Sequence, residues 1–231
     1  MELATGYIDA GGSGEYTEKK SRFIGEIRAV RTPEEATAFL RETRKLHNDA
    51  RHHCMAYILG PNAGTKHSSD DGEPSGTAGR PILSVLEGAK ITDAALIVTR
   101  YFGGTLLGTG GLVRAYTAAA KAAVEDSRIL RPVPGMTAEI EIDYAGWPAA
   151  ESFFRKEGVS VIGAEYAETV RVTIAYPANG TDSAKHQQIA KALSAIRKTD
   201  DPFDKISPCL VAEADDMLVI YEGDSIRRYS L

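Results

Sequence analysis

The sequence predicts an α+β protein built as two domains, and three observations carry that reading. The segment Leu130-Arg131-Pro132-Val133-Pro134-Gly135 sets two prolines and a glycine between a long Ala-rich helical pattern and a strand pattern, as a linker does. Charge shifts across it: residues 1–135 carry 17 basic and 16 acidic side chains, residues 136–231 carry 10 and 16. The remaining residues, about ninety, then alternate as β-α-β-β-α-β, the split-βαβ, ferredoxin-like plan. The domains expected are residues 1–132 and 136–231.

In the first domain, residues 21–30 read as a strand and residues 33–46 as a helix with Pro33 in its first turn. Residues 53–59 read as a strand and, after a long loop, residues 82–89 as a helix. Residues 93–102 hold Ala95-Leu96-Ile97-Val98-Thr99, the clearest buried strand of the chain. Residues 111–127 place Leu112, Val113, Tyr116, Ala119, Ala120 and Ala123 at helical spacing, a helix packed closely on a sheet. In the second domain, residues 137–143 alternate as a strand and residues 147–157 read as a helix. Residues 159–166 and 169–176 form a hairpin turning at Ala167-Glu168. Residues 182–198 read as a helix capped by Asp182, and residues 217–221 as the last strand.

Composition narrows the function classes. Apolar residues make up 43% and charged residues 26%, the balance of a globular protein, with net charge −5. No window approaches a membrane span, and residues 1–10 lack the basic and apolar regions of a leader peptide, so a cytosolic protein without a membrane partner is expected. Cys54 and Cys209 are far apart and form no Cys-x-x-Cys, which removes disulfide scaffolds and thiolate zinc sites.

Two glycine-rich segments carry the chemistry. The first, residues 68–81, holds Asp70, Asp71, Glu73, Ser75, Gly76, Thr77 and Arg80 without apolar periodicity, so it is not core. Its residue types suit cation coordination, phosphate binding or capping of a helix that starts near Thr77, and the sequence does not rank these. The second, residues 100–111, joins the buried strand to the long helix and contains Arg100, Gly103, Gly104, Gly108, Gly110 and Gly111. As a nucleotide motif it fails: Thr109 stands where a P-loop has Lys, and Val113 where a dinucleotide fingerprint has Gly or Ala. No cofactor and no resident metal are expected.

Strand alternation turns His52 and Cys54 to one face and His53 to the other, so the histidines do not chelate as a pair. A hydrogen-bonded wall residue is the plainer reading of His53. Lys19, Lys20, Arg22, Arg28 and Arg31 cluster near the first strand, and Arg80, Arg100 and Arg114 adjoin the glycine segments; phosphates would suit them, though nearby acids offset the first group.

The run Asp70-Asp71-Gly72-Glu73-Pro74-Ser75-Gly76-Thr77-Ala78-Gly79-Arg80-Pro81 is followed by Thr99-Arg100-Tyr101-Phe102-Gly103-Gly104 and Gly108-x-Gly110-Gly111-Leu112-Val113-Arg114-Ala115-Tyr116. Together with Lys20-Ser21-Arg22-Phe23 and Ala50-Arg51-His52-His53-Cys54-x-Ala56-Tyr57, these resemble the YigZ/IMPACT family. The resemblance implies an N-terminal domain with the ribosomal-protein-like fold of elongation factor G domain IV, including a left-handed crossover against the usual rule. It implies a C-terminal ferredoxin-like domain similar to domain V of that factor. Eukaryotic members regulate translation by competing for an activator of the kinase that phosphorylates the initiation factor. The implied function is therefore translation-associated regulation, by binding RNA, the ribosome or a translation-related protein.

Two readings stay open. In the first the chain is a binding module whose contacts are Lys20, Arg22, Arg80, Arg100 and Arg114 with His53, Ser75, Gly76, Thr77 and the loop glycines. In the second it is an enzyme acting on a small anionic or phosphorylated substrate: Asp70, Asp71 and Glu73 hold a divalent cation, Arg80 and Arg100 the anion, and His53 is the base. The disposition of the two segments separates them.

Overall fold

The apolar run at the centre of the first half is continuous, not alternating, because its strand is covered on both faces. A computed structural model describes residues 6–60, 63–214, 217–222 and 225–230; the first five residues, on which the leader-peptide reading partly rests, lie outside them. The chain divides into two compact units, Met1–Arg131 and Pro132–Leu231.

The N-terminal unit runs β1 (Gly6–Ala10), β2 (Gly12–Glu18), β3 (Ser21–Ala29), α1 (Pro33–Leu46), β4 (His52–Leu59), β5 (Thr65–Ser69), α2 (Gly79–Gly88), β6 (Ile91–Thr92), β7 (Ala94–Tyr101), α3 (Gly108–Asp126) and β8 (Arg128–Leu130). Its main sheet has the order β2-β3-β7-β4-β5, antiparallel throughout. On one face α2 and α3 bury Phe23, Cys54, Leu96 and Val98 under Ile82, Leu86, Leu112 and Tyr116. On the other α1 covers Met55, Ala95 and Ile97 with Ala36 and Phe39. Removing such side chains from water stabilises the fold by about 1.5–3 kcal/mol each for the larger ones. A small sheet, β6-β1-β8, completes the unit.

Local signals set the element ends. Thr32 caps α1 by accepting from the Glu35 amide, and Pro33 occupies its first turn. The Ala-rich face of α3 lies so close to the sheet that a Cβ at Gly25 would stand 2.4 Å from the Ala119 carbonyl oxygen. Only glycine fits beneath it.

The C-terminal unit runs β9 (Val133–Ile142), α4 (Trp147–Glu157), β10 (Ser160–Tyr166), β11 (Val170–Pro177), α5 (Ala184–Arg197), β12 (Lys205–Ala214), β13 (Met217–Glu222) and β14 (Ser225–Ser230). The sheet order β10-β11-β9-β12-β13-β14, with every neighbouring pair antiparallel, contains the split-βαβ arrangement and extends it by a hairpin. The fourth strand of that plan is β12, not the segment at 217–221, which is β13. The cap of α5 is Ser183, whose hydroxyl accepts from the His186 amide, one residue beyond the Asp182 expected. Ile140, Phe154, Val172, Ile174, Tyr176 and Leu193 form the core between sheet and helices.

Candidate functional site

Asp70 opens the first glycine-rich segment and organises it. Its Oδ2 accepts from the Gly76 amide at 2.8 Å, and its Oδ1 from the amides of Ala78 and Gly79 at 3.0 and 2.8 Å. Helix α2 has no cap from its own Ala78, so this upstream carboxylate takes the unpaired amides of its first turn. Burial pushes the Asp70 carboxyl up, but the three amide donors outweigh it and hold the group below its ordinary value. Of the three roles open to this segment, Asp70 performs the capping one.

Asp71 is spent differently. Its Oδ1 meets Arg44 Nη2 at 2.6 Å and its Oδ2 accepts from the His53 amide at 2.7 Å. The left-handed backbone of Asp71 (φ 44°) and Gly72 (φ 85°) makes a tight turn here, and the Asp71 carbonyl lies 2.8 Å from His52 Nδ1. A carbonyl only accepts, so Nδ1 of His52 carries the proton. His53 points the other way: its Nε2 donates to the His47 carbonyl at the end of α1, 3.0 Å off. Burial lowers its pKa, against the pull of that bond and of Asp71. It is the wall residue that alternation allowed, and it stands away from the pocket described below.

Glu73 is buried. Its Oε1 accepts from Arg100 Nη1 at 2.6 Å and from the Tyr116 hydroxyl at 2.8 Å, with the Glu73 and Arg100 side chains 3% and 7% exposed. Cys54 Sγ lies 3.4 Å from the same hydroxyl, and burial raises both the thiol and the phenol far above their ordinary values. Each of the three carboxylates thus has its own protein partners. Among the described residues no group of three His, Cys, Asp or Glu side chains is placed to hold a metal ion. Arg100, expected with Arg80 to hold an external anion, is paired with Glu73.

In the second segment Gly103 is pressed against the β2–β3 hairpin. A Cβ there would stand 2.1 Å from the Lys20 carbonyl carbon, and the Gly103 amide donates to Ser21 Oγ at 3.1 Å. Lys19 and Lys20 form the two-residue turn of that hairpin, both left-handed at φ 45° and 66°, a conformation that favours Asn-Gly. Gly110 and Gly111 belong to the first turn of α3, which starts at Gly108, three residues before the helix expected.

The two segments share one pocket of about 430 Å³. Pro74 from the first and Phe102, Leu106 and Leu107 from the second wall it, with Leu112 of α3 behind; Glu73, Arg100 and His52 lie at its floor and Arg51 at its rim. Phe102 and Leu106 are 46% and 82% exposed. Ser75, Gly104, Arg80 and Arg114 are exposed, and Thr77 is buried with its hydroxyl donating to the Pro74 carbonyl at 2.6 Å. Arg22 is exposed but held by Glu15 at 2.8 Å. The sequence reading missed Arg51, His52, Phe102, Leu106 and Leu107. A signal for Phe102 and Leu106 was present: large apolar residues in a glycine-rich loop have no core to fill. A second hollow of about 430 Å³ on the C-terminal sheet is lined by Thr137, Glu139, Lys205 and Ser207, among which Lys205 already pairs with Glu139 at 3.1 Å.

Residues 19–124 match the Impact N-terminal domain and residues 140–189 match a domain of unknown function, DUF1949. IMPACT family member YvyE of Bacillus subtilis is 47% identical over 109 residues, which span 47% of this chain and 50% of that protein. IMPACT family member YigZ of Escherichia coli is 37% identical over 162 residues, 69% of this chain and 79% of that protein. The crystal structure of a hypothetical protein aligns with 98% of this chain and 97% of its own at 28% identity and a TM-score of 0.54. The glycine-rich segments, the Glu73–Arg100 floor and the Lys19-Lys20 hairpin all fall inside the matched N-terminal domain, and on these grounds the chain belongs to the IMPACT family.

Proposed function

We propose that the chain is a translation-associated binding protein that contacts RNA or the ribosome through the loop side of its N-terminal unit. The observation that supports this most is the set of cations around the two segments. Lys19 and Lys20 sit on the hairpin that packs on Gly103, Arg51 rims the pocket, Arg80 lies in the first turn of α2, and Arg114 in the first turns of α3. None of the five takes part in the ion pairs among the described residues, whereas Arg22, Arg28 and Arg44 do. Unpaired cations beside an exposed aromatic ring suit phosphate and base contacts in a chain whose net charge is negative. The link to translation rests on the family resemblance, and the engaged carboxylates favour binding over metal-assisted chemistry.

Binding to purified ribosomal subunits and to structured RNA, measured over a salt series, tests the reading. The log–log slope is expected to be roughly −0.7 to −0.9 per phosphate neutralised, and each of Lys20→Ala, Arg51→Ala and Arg114→Ala should flatten it by about one such step. Arg100 is left out because Glu73 already occupies it. Undetectable binding at about 50 mM salt, where phosphate contacts are strong, sinks the reading in favour of a protein partner.

A further inference from the structure

The pocket between the two segments contains polar groups that the protein itself leaves unanswered. Both hydrogen bonds to Glu73 fall on Oε1, and none of the described bonds uses Oε2. Arg100 is 6% exposed, and its buried Nε has no acceptor. Glu73 and Arg100 both line the pocket, so its floor sets the unused Glu73 Oε2 beside the Arg100 guanidinium beneath apolar walls.

That combination selects its occupant. A simple carboxylate would bring only acceptors and set a second negative charge against Glu73. A cation would face Arg100. A flat apolar body whose edge carries a donor beside an acceptor satisfies both groups, and a nucleobase is such a body. Phe102, half-exposed at the wall, has the Arg100 guanidinium 5.5 Å from its ring centre, which holds the ring in place as a stacking platform. Beyond the walls stand Arg51, free of any ion pair, and the first turn of the 19-residue α3, where Leu107 supplies no side-chain cap. These suit a phosphate joined to the base through its sugar.

We propose that this pocket binds one unpaired nucleotide, its base on the Glu73–Arg100 floor and its phosphate toward Arg51. The proposal rests on the RNA-contacting reading above and gives it a point of base discrimination. The nucleotide is either free or part of a single strand, and the two sources separate experimentally.

The test titrates the full chain with each of the four nucleoside 5′-monophosphates, by calorimetry, and with single-stranded pentamers of each base, by fluorescence anisotropy. One base should bind at least several-fold tighter than the rest. Phe102→Ala should weaken it roughly 5- to 150-fold, the range for loss of one stacked base. Leu106→Asp, at a position 82% exposed and so harmless to folding, should weaken it as well by repelling the phosphate. Glu73→Gln replaces an acceptor with a group that also donates, and should change the order of preference among the bases. Binding of monophosphates identifies a free nucleotide; binding of pentamers alone identifies a strand. If pentamers bind with a normal salt slope but without base preference and unaffected by Phe102→Ala, the pocket assignment is overturned while the RNA reading stands. If neither probe nor structured RNA binds, both are overturned.

Discussion

Glu73 and Arg100 lie 27 residues apart in the chain and 2.6 Å apart in space, each the buried charged residue of a different glycine-rich segment. Their pairing ties the first segment to the end of β7 and sets the pocket floor. Truncating one partner leaves the other as an uncompensated buried charge. Glu73→Ala should therefore lower stability by about 3–5 kcal/mol, while joint replacement of Glu73 and Arg100 by Met and Leu should cost much less. Chemical denaturation of Glu73→Met, Arg100→Leu and the double variant gives the coupling directly; a value under about 0.5 kcal/mol would mark the contact as incidental.

Asp70 gives a second prediction. Asp70→Ala removes the acceptor for three amides and should destabilise by about 2 kcal/mol, the scale of a lost helix cap with further donors left bare. Because the folded carboxyl titrates below its ordinary value of 3.8, its contribution is complete above that pH and is lost as pH falls through the lower folded value. Thermal unfolding of wild type and Asp70→Ala should therefore converge in acid. Parallel curves there would contradict the capping role.

What the sequence showed, and what it hid, divides along burial. The strand at β7 and the helices α1, α3 and α4 were legible because apolar periodicity agrees with the packing, helped at α1 by the Thr32 cap and Pro33. β2 was not, since Gly12-Ser13-Gly14 reads as a breaker when in fact α3 passes too close for side chains there. β12 was hidden by Pro208, tolerated because β13 pairs only from Leu210 onward and leaves an open edge at the proline. β5, an exposed polar edge strand, has no alternation to read. At the site, residue types pointed to the right segments but not to the roles: nothing in Asp70, Asp71 and Glu73 as letters says that one caps a helix, one pins a strand and one is buried against an arginine.

His53 gives a pH dependence of stability. Its pKa is lowered in the fold, so below about 6.5, the unfolded value, the unfolded chain takes a proton that the native chain resists. Stability is complete above that pH and falls as pH drops toward the folded value. His53→Gln should cost some stability at pH 8 yet flatten the profile between pH 6.5 and 5. Urea midpoints across that range measure it, and an unchanged slope would assign the acid sensitivity to another group.

The strained turn at Lys19-Lys20 separates stability from binding. Two lysines hold left-handed backbone where Asn-Gly is the comfortable choice, and a left-handed residue other than glycine costs about 1–2 kcal/mol. Such strain persists where the side chains are needed for something else. Replacing the pair by Asn-Gly should raise stability by about 1 kcal/mol or more and flatten the salt slope of RNA binding by roughly two phosphate steps. Replacing it by Gln-Gln keeps the strain and removes the charges, so it should flatten the slope equally without the gain in stability. If Asn-Gly stabilises the protein and RNA binding keeps its full slope, the hairpin tip lies outside the interface. The contact of Gly103 with Lys20 then serves only to fix the second segment, and Arg51, Arg80 and Arg114 must carry the phosphate contacts by themselves.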